Sequence, residues 1–97
     1  MAAVSLPFDF DPNAPGELQA AYEWYDHLRP DLADDFAASA DRAFNAIAAN
    51  PMGYGVTHLD IRAAPLPGFP YAVYYRVLRN RVRILVVHHA ARDPAAW

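Results

Sequence analysis

The sequence predicts an α+β fold: a helix hairpin on one face of a four-stranded, largely antiparallel sheet. Two segments in the first half carry apolar residues at helical spacing. The last third contains two runs rich in Val, Ile and Tyr, separated by the polar pair Arg79-Asn80, which is typical of a β-hairpin. The expected order is β-α-α-β-β-β, and because two helices cover only one face of such a sheet, the opposite face is expected to stay partly open.

Composition indicates one domain over residues 1–97, because 97 residues with a hydrophobic fraction of 55% suffice for a single modest core. The absence of cysteine excludes disulfides and thiolate zinc sites and fits a reducing cytoplasm. The first residues show no basic segment followed by an apolar one, so no signal peptide is expected. No segment approaches the roughly 18 apolar residues of a membrane span, so a membrane role is not expected.

Charge is divided between the two halves of the chain. Residues 1–50 contain nine acids and two arginines, a net charge of −7, whereas residues 51–97 contain two acids and six arginines, a net charge of +4. The predicted helices are therefore acidic and the predicted sheet basic. Two interpretations carry equal weight: two solvated faces of opposite sign, or a sheet face that meets an anionic partner.

The first strand is predicted over residues 4–10, at a sheet edge or bulge because it contains Pro7. A helix follows over residues 15–28, with Asn13 as its N-cap and Pro15 in its first turn. Pro30 separates it from a second helix, which Asn50-Pro51 ends. The apolar stripes are Leu18, Ala21, Tyr22, Tyr25 and Leu28 in the first helix, and Leu32, Phe36, Ala40, Ala43, Phe44 and Ile47 in the second.

Alternation predicts which strand residues face the helices. Over residues 56–63 it places Thr57, Leu59, Ile61 and Ala63 on one side and His58, Asp60 and Arg62 on the other. With Arg79-Asn80 as the turn, the hairpin should pair Leu78 with Arg81, Tyr75 with Ile84, Val73 with Val86, and Tyr71 with His88. The core face then holds Tyr71, Val73, Tyr75, Val77, Val82, Ile84, Val86 and His88. The open face holds Ala72, Tyr74, Arg76, Leu78, Arg81, Arg83, Leu85, Val87 and His89.

These elements and several short motifs resemble the RelE/ParE family of toxins from type II toxin–antitoxin modules. The motifs are Ala21-Tyr22-Glu23-Trp24-Tyr25, Ile47 with Asn50-Pro51, Ile61-Arg62, Phe69-Pro70-Tyr71 with Tyr75-Arg76, and the terminal segment from His89 to Trp97. The resemblance covers nearly the whole chain. It implies a cytoplasmic toxin without cofactor or metal, whose partner is a cognate antitoxin that folds on the open face, as a helix or an added strand, near Leu85 and Val87.

The family divides by target: RelE-like members cleave mRNA in the ribosome, and ParE-like members poison DNA gyrase. In this sequence His58 and Asp60 stand where the cleaving branch has lysines, and Ala72 stands where it has an arginine. Cleavage needs cations on the phosphate and a proton acceptor, so these departures favour the ParE side and an inhibitor that is not an enzyme. The Phe69-Pro70-Tyr71 and Arg92-Asp93-Pro94 motifs also resemble ParE.

Candidate site residues follow from the open face and the resemblance. The binding candidates are Arg62, Tyr74, Arg76, Arg83, Leu85, Val87 and Trp97. If the protein is a ribonuclease, the catalytic candidates are His89, Arg92 and Arg62. Most have a structural alternative. Arg62, Arg76 and Arg83 can pair with Asp60, and His89 can hydrogen-bond at a strand end. Tyr74 can pack across strands, and Arg92-Asp93-Pro94 can form a turn with Trp97 docked on the core. Three functions remain open: a gyrase inhibitor, a ribosome-dependent mRNA endonuclease, and a non-toxic partner-binding member of the family.

Overall fold

The computed structural model describes residues 6–89 and confirms the α+β fold. Its elements are β1 (Phe8–Phe10), α1 (Ala14–Leu28), α2 (Pro30–Ala49), a short 3-10 helix (Pro51–Gly53), β2 (Val56–His58), β3 (Ile61–Pro65), β4 (Tyr71–Val77) and β5 (Val82–His89). The sheet has five strands in the order β1-β5-β4-β3-β2, one more than predicted. β1 lies parallel to β5 at one edge, and the other neighbours are antiparallel.

The helix hairpin forms where the sequence predicts it. Pro15 lies in the first turn of α1, and Pro30 in the first turn of α2, where a missing N–H costs nothing. The predicted Asn13 cap is only partly right: its side chain makes no capping hydrogen bond, and its backbone N–H instead donates to the Asp11 carboxylate over 3.1 Å. Asn50 adopts a non-helical conformation and ends α2. None of the helices in the described range is long and apolar enough to span a membrane.

The core lies between the helix hairpin and one face of the sheet. Phe36 and Ile47 of α2 are fully buried against Val73, Tyr75 and Ile84 of the sheet. The predicted stripes supply most of this surface, but Leu28 at the end of α1 remains 54% exposed. Burying a side chain of this size stabilises the fold by about 2 kcal/mol. The apolar face of the sheet is therefore the one that packs against the helices.

The predicted single strand over residues 56–63 is wrong, because the chain reverses after His58. Leu59 has φ of 54°, a left-handed conformation that turns β2 back into β3. β3 then pairs Arg62 with Tyr75 and Ala64 with the buried Val73. The alternation over this segment is therefore inverted: Arg62 lies on the helix side of the sheet rather than on the open face.

The predicted hairpin is right near its turn and wrong beyond it. The Leu78 N–H donates to the Arg81 carbonyl over 2.8 Å, and Tyr75 pairs with Ile84 as expected. The register then shifts between Tyr74 and Tyr75, so that Tyr74 pairs with Val86 and Leu85 has no partner on β4. The resulting bulge changes the face of every later residue in β5.

The bulge moves two site candidates, Val87 and His89, from the open face to the helix side of the sheet. Val73 pairs with Val87 rather than Val86, and Tyr71 pairs with His89 rather than His88. Val87 is 3% exposed and belongs to the core cluster, so its predicted place on the open face is wrong. The prediction that residues 4–10 form an edge strand holds for Phe8–Phe10, and residues 4 and 5 lie outside the described range.

Candidate functional site

Charged side chains cross the open face of the sheet, the face turned away from the helices, near the β4–β5 turn. Strand order places Asp9 on β1, Arg83 on β5 and Arg76 on β4, with Asp60 between β2 and β3 and Arg81 just before β5. Arg76 and Arg83 are directly opposed on neighbouring strands. We call these five residues the charged row. The structure thus places two predicted binding residues, Arg76 and Arg83, side by side on the open face.

Ion pairs hold the charged row together. Asp60 accepts hydrogen bonds from Arg76 Nε and Nη2 at 3.1 and 3.0 Å, and Asp9 accepts from Arg83 Nη1 at 2.7 Å and Arg81 Nε at 3.2 Å. Like charges directly opposed across strands are destabilising, so the flanking carboxylates offset the repulsion between Arg76 and Arg83. The hydrogen bond from Arg76 holds the pKa of the Asp60 carboxyl below its ordinary value. With three arginines and two carboxylates, the row carries a net charge of +1.

Apolar side chains lie beside the charged row on the same face. Tyr74 pairs with Ala63 and Val86, and despite facing away from the helices it is only 4% exposed. Tyr74 therefore lies on the predicted face but packs across the strands instead of standing exposed, and burial raises the pKa of its phenol. Leu85, the bulged residue of β5, is half-buried and is not among the residues of the core cluster.

The structure separates the residues proposed for RNA cleavage. Arg62 is half-buried, and its Nη1 donates to the Tyr54 carbonyl over 2.5 Å, which fixes the loop after α2. His89 is on β5 and pairs with Tyr71, at the other end of β4; the two ring centroids are 5.8 Å apart. Arg62 and His89 are separated by four residues along the strands and by two strand spacings across the sheet. Their Cα atoms are therefore about 16 Å apart. Both lie on the helix side, so their predicted place on the open face is wrong.

Two remaining candidates, Arg92 and Trp97, lie outside the described residues. Within residues 6–89, no group of three or more His, Asp or Glu side chains is arranged to hold a metal ion.

A second polar site, which sequence reasoning missed, lies where α1 crosses the edge of β5 beyond β1. Glu17 Oε1 accepts a hydrogen bond from the Val87 N–H over 3.2 Å, and its Oε2 lies 3.2 Å from His88 Nδ1. Trp24, two turns along α1, is 60% exposed beside this contact. The only signal in the sequence is an acidic residue in the first turn of α1, which the helix dipole already explains.

Comparison with known proteins decides the family. The family described as ParE toxin of type II toxin–antitoxin system, parDE, matches residues 8–94. The chain belongs to the ParE toxin family. A solved structure described as a chromosomal ParDE TA system from P. aeruginosa shares the fold, with a TM-score of 0.76, 19% sequence identity, and coverage of 88% of this chain and 96% of that chain. No curated protein sequence matches.

Membership of the ParE toxin family confirms the predicted resemblance and its ParE side. The matched region begins at Phe8 of β1 and runs past the end of β5, so it includes both helices and the charged row. The protein is accordingly a member of a type II toxin family.

Proposed function

We propose that the protein is the toxin of a type II toxin–antitoxin module, that it inhibits DNA gyrase by binding in the cytoplasm, and that a cognate antitoxin neutralises it. The observation that carries this proposal is the match of residues 8–94 to the ParE toxin family. The structural neighbour described as a ParDE TA system adds support, since it shares this fold.

The arrangement of side chains favours binding over RNA cleavage. Metal-independent cleavage requires a proton acceptor and phosphate-binding cations around one reacting bond. Arg62 and His89 lie at opposite ends of β4 and on the helix side of the sheet. Arg76 and Arg83, which do lie together on the open face, already pair with carboxylates.

The charged row is the proposed contact with gyrase. Its ion pairs are partly exposed, with side-chain exposures of 47% for Arg76 and 34% for Arg83. Exposed ion pairs contribute only about 0–1 kcal/mol to the stability of the fold. Breaking them so that the arginines can meet acidic groups of a target therefore costs little free energy. Arginine also presents a planar set of donors that suits carboxylates on a protein surface.

A supercoiling assay tests the proposal. Purified wild-type protein should inhibit gyrase, and Arg76→Glu or Arg83→Glu should weaken inhibition about tenfold, because an attractive contact becomes repulsive. Arg42→Glu makes the same charge change on an exposed position of α2 and should inhibit like the wild type. His89→Ala should leave inhibition and growth arrest largely intact.

Incubating the purified protein with translating ribosomes tests the ribonuclease alternative. Cleavage of mRNA by wild-type protein, lost in His89→Ala or Arg92→Ala, would replace the gyrase proposal with the ribonuclease alternative. Growth arrest that neither assay explains would indicate another target. Absence of growth arrest would favour the non-toxic, partner-binding alternative.

A further inference from the structure

The turn between β2 and β3 places a large apolar side chain in solvent. Leu59, which forms this turn with Asp60, is 80% exposed and is not among the residues of the core cluster. Its φ of 54° is the one positive value among the non-glycine residues that the structure describes. Hairpin turns normally carry glycine, asparagine or aspartate where φ is positive, because other side chains are strained there. Leucine at this position therefore strains the turn without contributing to the core.

The flanking strands hold this turn in its strained conformation. His58 pairs with Ile61 and Val56 pairs with Arg62, and the Thr57 hydroxyl donates to the Ile61 carbonyl over 3.2 Å. Strained backbone persists only where the surrounding structure enforces it, and such positions cluster at functional sites. An exposed leucine that is held in this way indicates a side chain presented to another molecule.

Other apolar side chains are exposed close to the turn. Within residues 6–89, three of the six large apolar side chains that are exposed lie between positions 52 and 59, namely Met52, Val56 and Leu59. Arg62 pairs with Val56 and also donates to the Met52 carbonyl over 3.4 Å, so these residues lie at the same edge of the sheet. Single exposed apolar residues are ordinary on protein surfaces, whereas several together mark an interaction site.

The turn adjoins the charged row. Asp60 follows Leu59 directly, and its carboxylate accepts hydrogen bonds from Arg76 Nε and Nη2 at 3.1 and 3.0 Å. Because consecutive Cα atoms are about 3.8 Å apart, the leucine lies next to the ion pair at the β2 end of the row. The surface is thus continuous, apolar at the turn and basic along the strands. Protein interfaces commonly combine an apolar anchor with such a polar rim.

We infer that Leu59 is the apolar anchor of the contact with the toxin's target, and that it enters a recess beside the acidic groups that meet Arg76 and Arg83. This inference rests on the proposed function, which takes DNA gyrase as the target and the charged row as the contact. The occupant is the target because the turn and the row form one surface. The complementary surface is therefore an acidic one with an apolar recess at its edge.

A second copy of the chain does not suit this surface. β2 has only three residues, and its register with β3 shifts between Val56 and His58. Short and irregular edge strands do not readily pair with another strand. Two charged rows brought side by side would each carry a net charge of +1, and like charges oppose association.

Substitution of Leu59 tests the inference through effects of opposite sign on stability and on inhibition. Leu59→Asn relieves the strained backbone, because asparagine tolerates positive φ, and should raise the urea midpoint of unfolding by about 0.5 M. The same change removes the apolar anchor and should weaken inhibition of DNA supercoiling by gyrase at least about tenfold. A residue with a purely structural role would not combine greater stability with weaker inhibition.

Two further variants separate the side chain from the backbone. Leu59→Met keeps an apolar side chain of similar volume and should inhibit within about twofold of the wild type. Leu28→Asn makes the same substitution as the test variant at an exposed position on α1, in helical backbone. It should inhibit like the wild type and should not raise the urea midpoint, because its backbone is unstrained.

The outcomes separate the anchor from the proposed function. Wild-type inhibition by Leu59→Asn would overturn the anchor and leave the gyrase proposal standing, whereas absence of inhibition by the wild-type protein would overturn both. Weaker inhibition together with a lower urea midpoint would assign Leu59 a structural role and overturn the inference. So would intact inhibition with lost affinity for the product of the adjacent small gene, or with loss of a wild-type dimer on gel filtration. These last results would assign the turn to the antitoxin or to a second copy.

Cysteine protection locates the contact directly, because the chain has no cysteine of its own. Leu59→Cys introduces a thiol at the turn, and Leu28→Cys introduces one at the end of α1. Gyrase, at a concentration that fully binds each variant, should slow alkylation of the first thiol at least about tenfold and leave the second unchanged. Equal alkylation rates of Leu59→Cys with and without gyrase would contradict burial of this turn in the target.

Discussion

At the residue scale, two buried hydroxyl groups fix proline-containing loops to the core. Ser39 is fully buried in α2, and its Oγ donates to the Pro67 carbonyl over 2.6 Å. Tyr75 is also fully buried, and its phenol donates to the Pro51 carbonyl over 2.7 Å. The sequence correctly places Tyr75 on the core face. Neither partner was predictable, because each bond joins residues more than twenty positions apart through the tertiary fold.

Removing the Tyr75 hydroxyl should lower the free energy of unfolding. Tyr75→Phe keeps the ring and leaves the Pro51 carbonyl without its donor, so a loss of about 1–2 kcal/mol is expected. Tyr22→Phe is the matched control, because its half-buried ring makes no hydroxyl bond among the described residues. Urea unfolding followed by circular dichroism measures both, and equal stability of the two variants would contradict a structural role for the Tyr75 bond.

At the element scale, regular patterns were predictable and local irregularities were not. Helical periodicity and proline positions locate α1 and α2, since both signals are local in the chain. The turn at Leu59 and the bulge at Leu85 have no glycine or asparagine to indicate them. Each irregularity reverses the alternation that follows, so alternation alone places Arg62, Val87 and His89 on the wrong face.

The edge of β5 beyond β1 depends on one side chain of α1. Within residues 6–89, β1 pairs with Val82 to Ile84 and does not reach Val87, whose N–H donates to the Glu17 carboxylate. Glu17→Ala should cost about 1–3 kcal/mol of stability and speed amide exchange at Val87. Glu23→Ala, at an exposed position of the same helix, should change neither. Native-state hydrogen exchange provides the measurement, and an unchanged Val87 rate would show that Glu17 does not protect this edge.

At the scale of the whole molecule, charge is segregated between layers as the sequence indicates. The helix layer is acidic, and the sheet carries the basic charged row on its open face. What the sequence could not supply is which arginines are already paired, since Asp9 and Arg83 lie 74 positions apart. The proposed contact of the charged row therefore follows from the fold rather than from net charge.

Alkaline pH should destabilise the whole fold. Burial raises the pKa of Tyr25, Tyr74 and Tyr75 above the ordinary value of about 10. Above this pH the unfolded chain releases phenolic protons that the folded protein retains, so the stability present at lower pH is lost as pH rises through the folded-state pKa values. The chain contains no lysine, so tyrosines dominate the titration in this range.

Ultraviolet absorbance of tyrosinate, recorded with circular dichroism along a pH series, measures this coupling. Tyr25, Tyr74 and Tyr75 should ionise above the ordinary pKa of about 10, together with the loss of the fold. Tyr74→Phe removes one buried phenol, so its stability should fall less steeply above about pH 10 than that of the wild type. Ionisation of all six tyrosines together at the ordinary pKa, with the fold intact, would contradict burial as the cause.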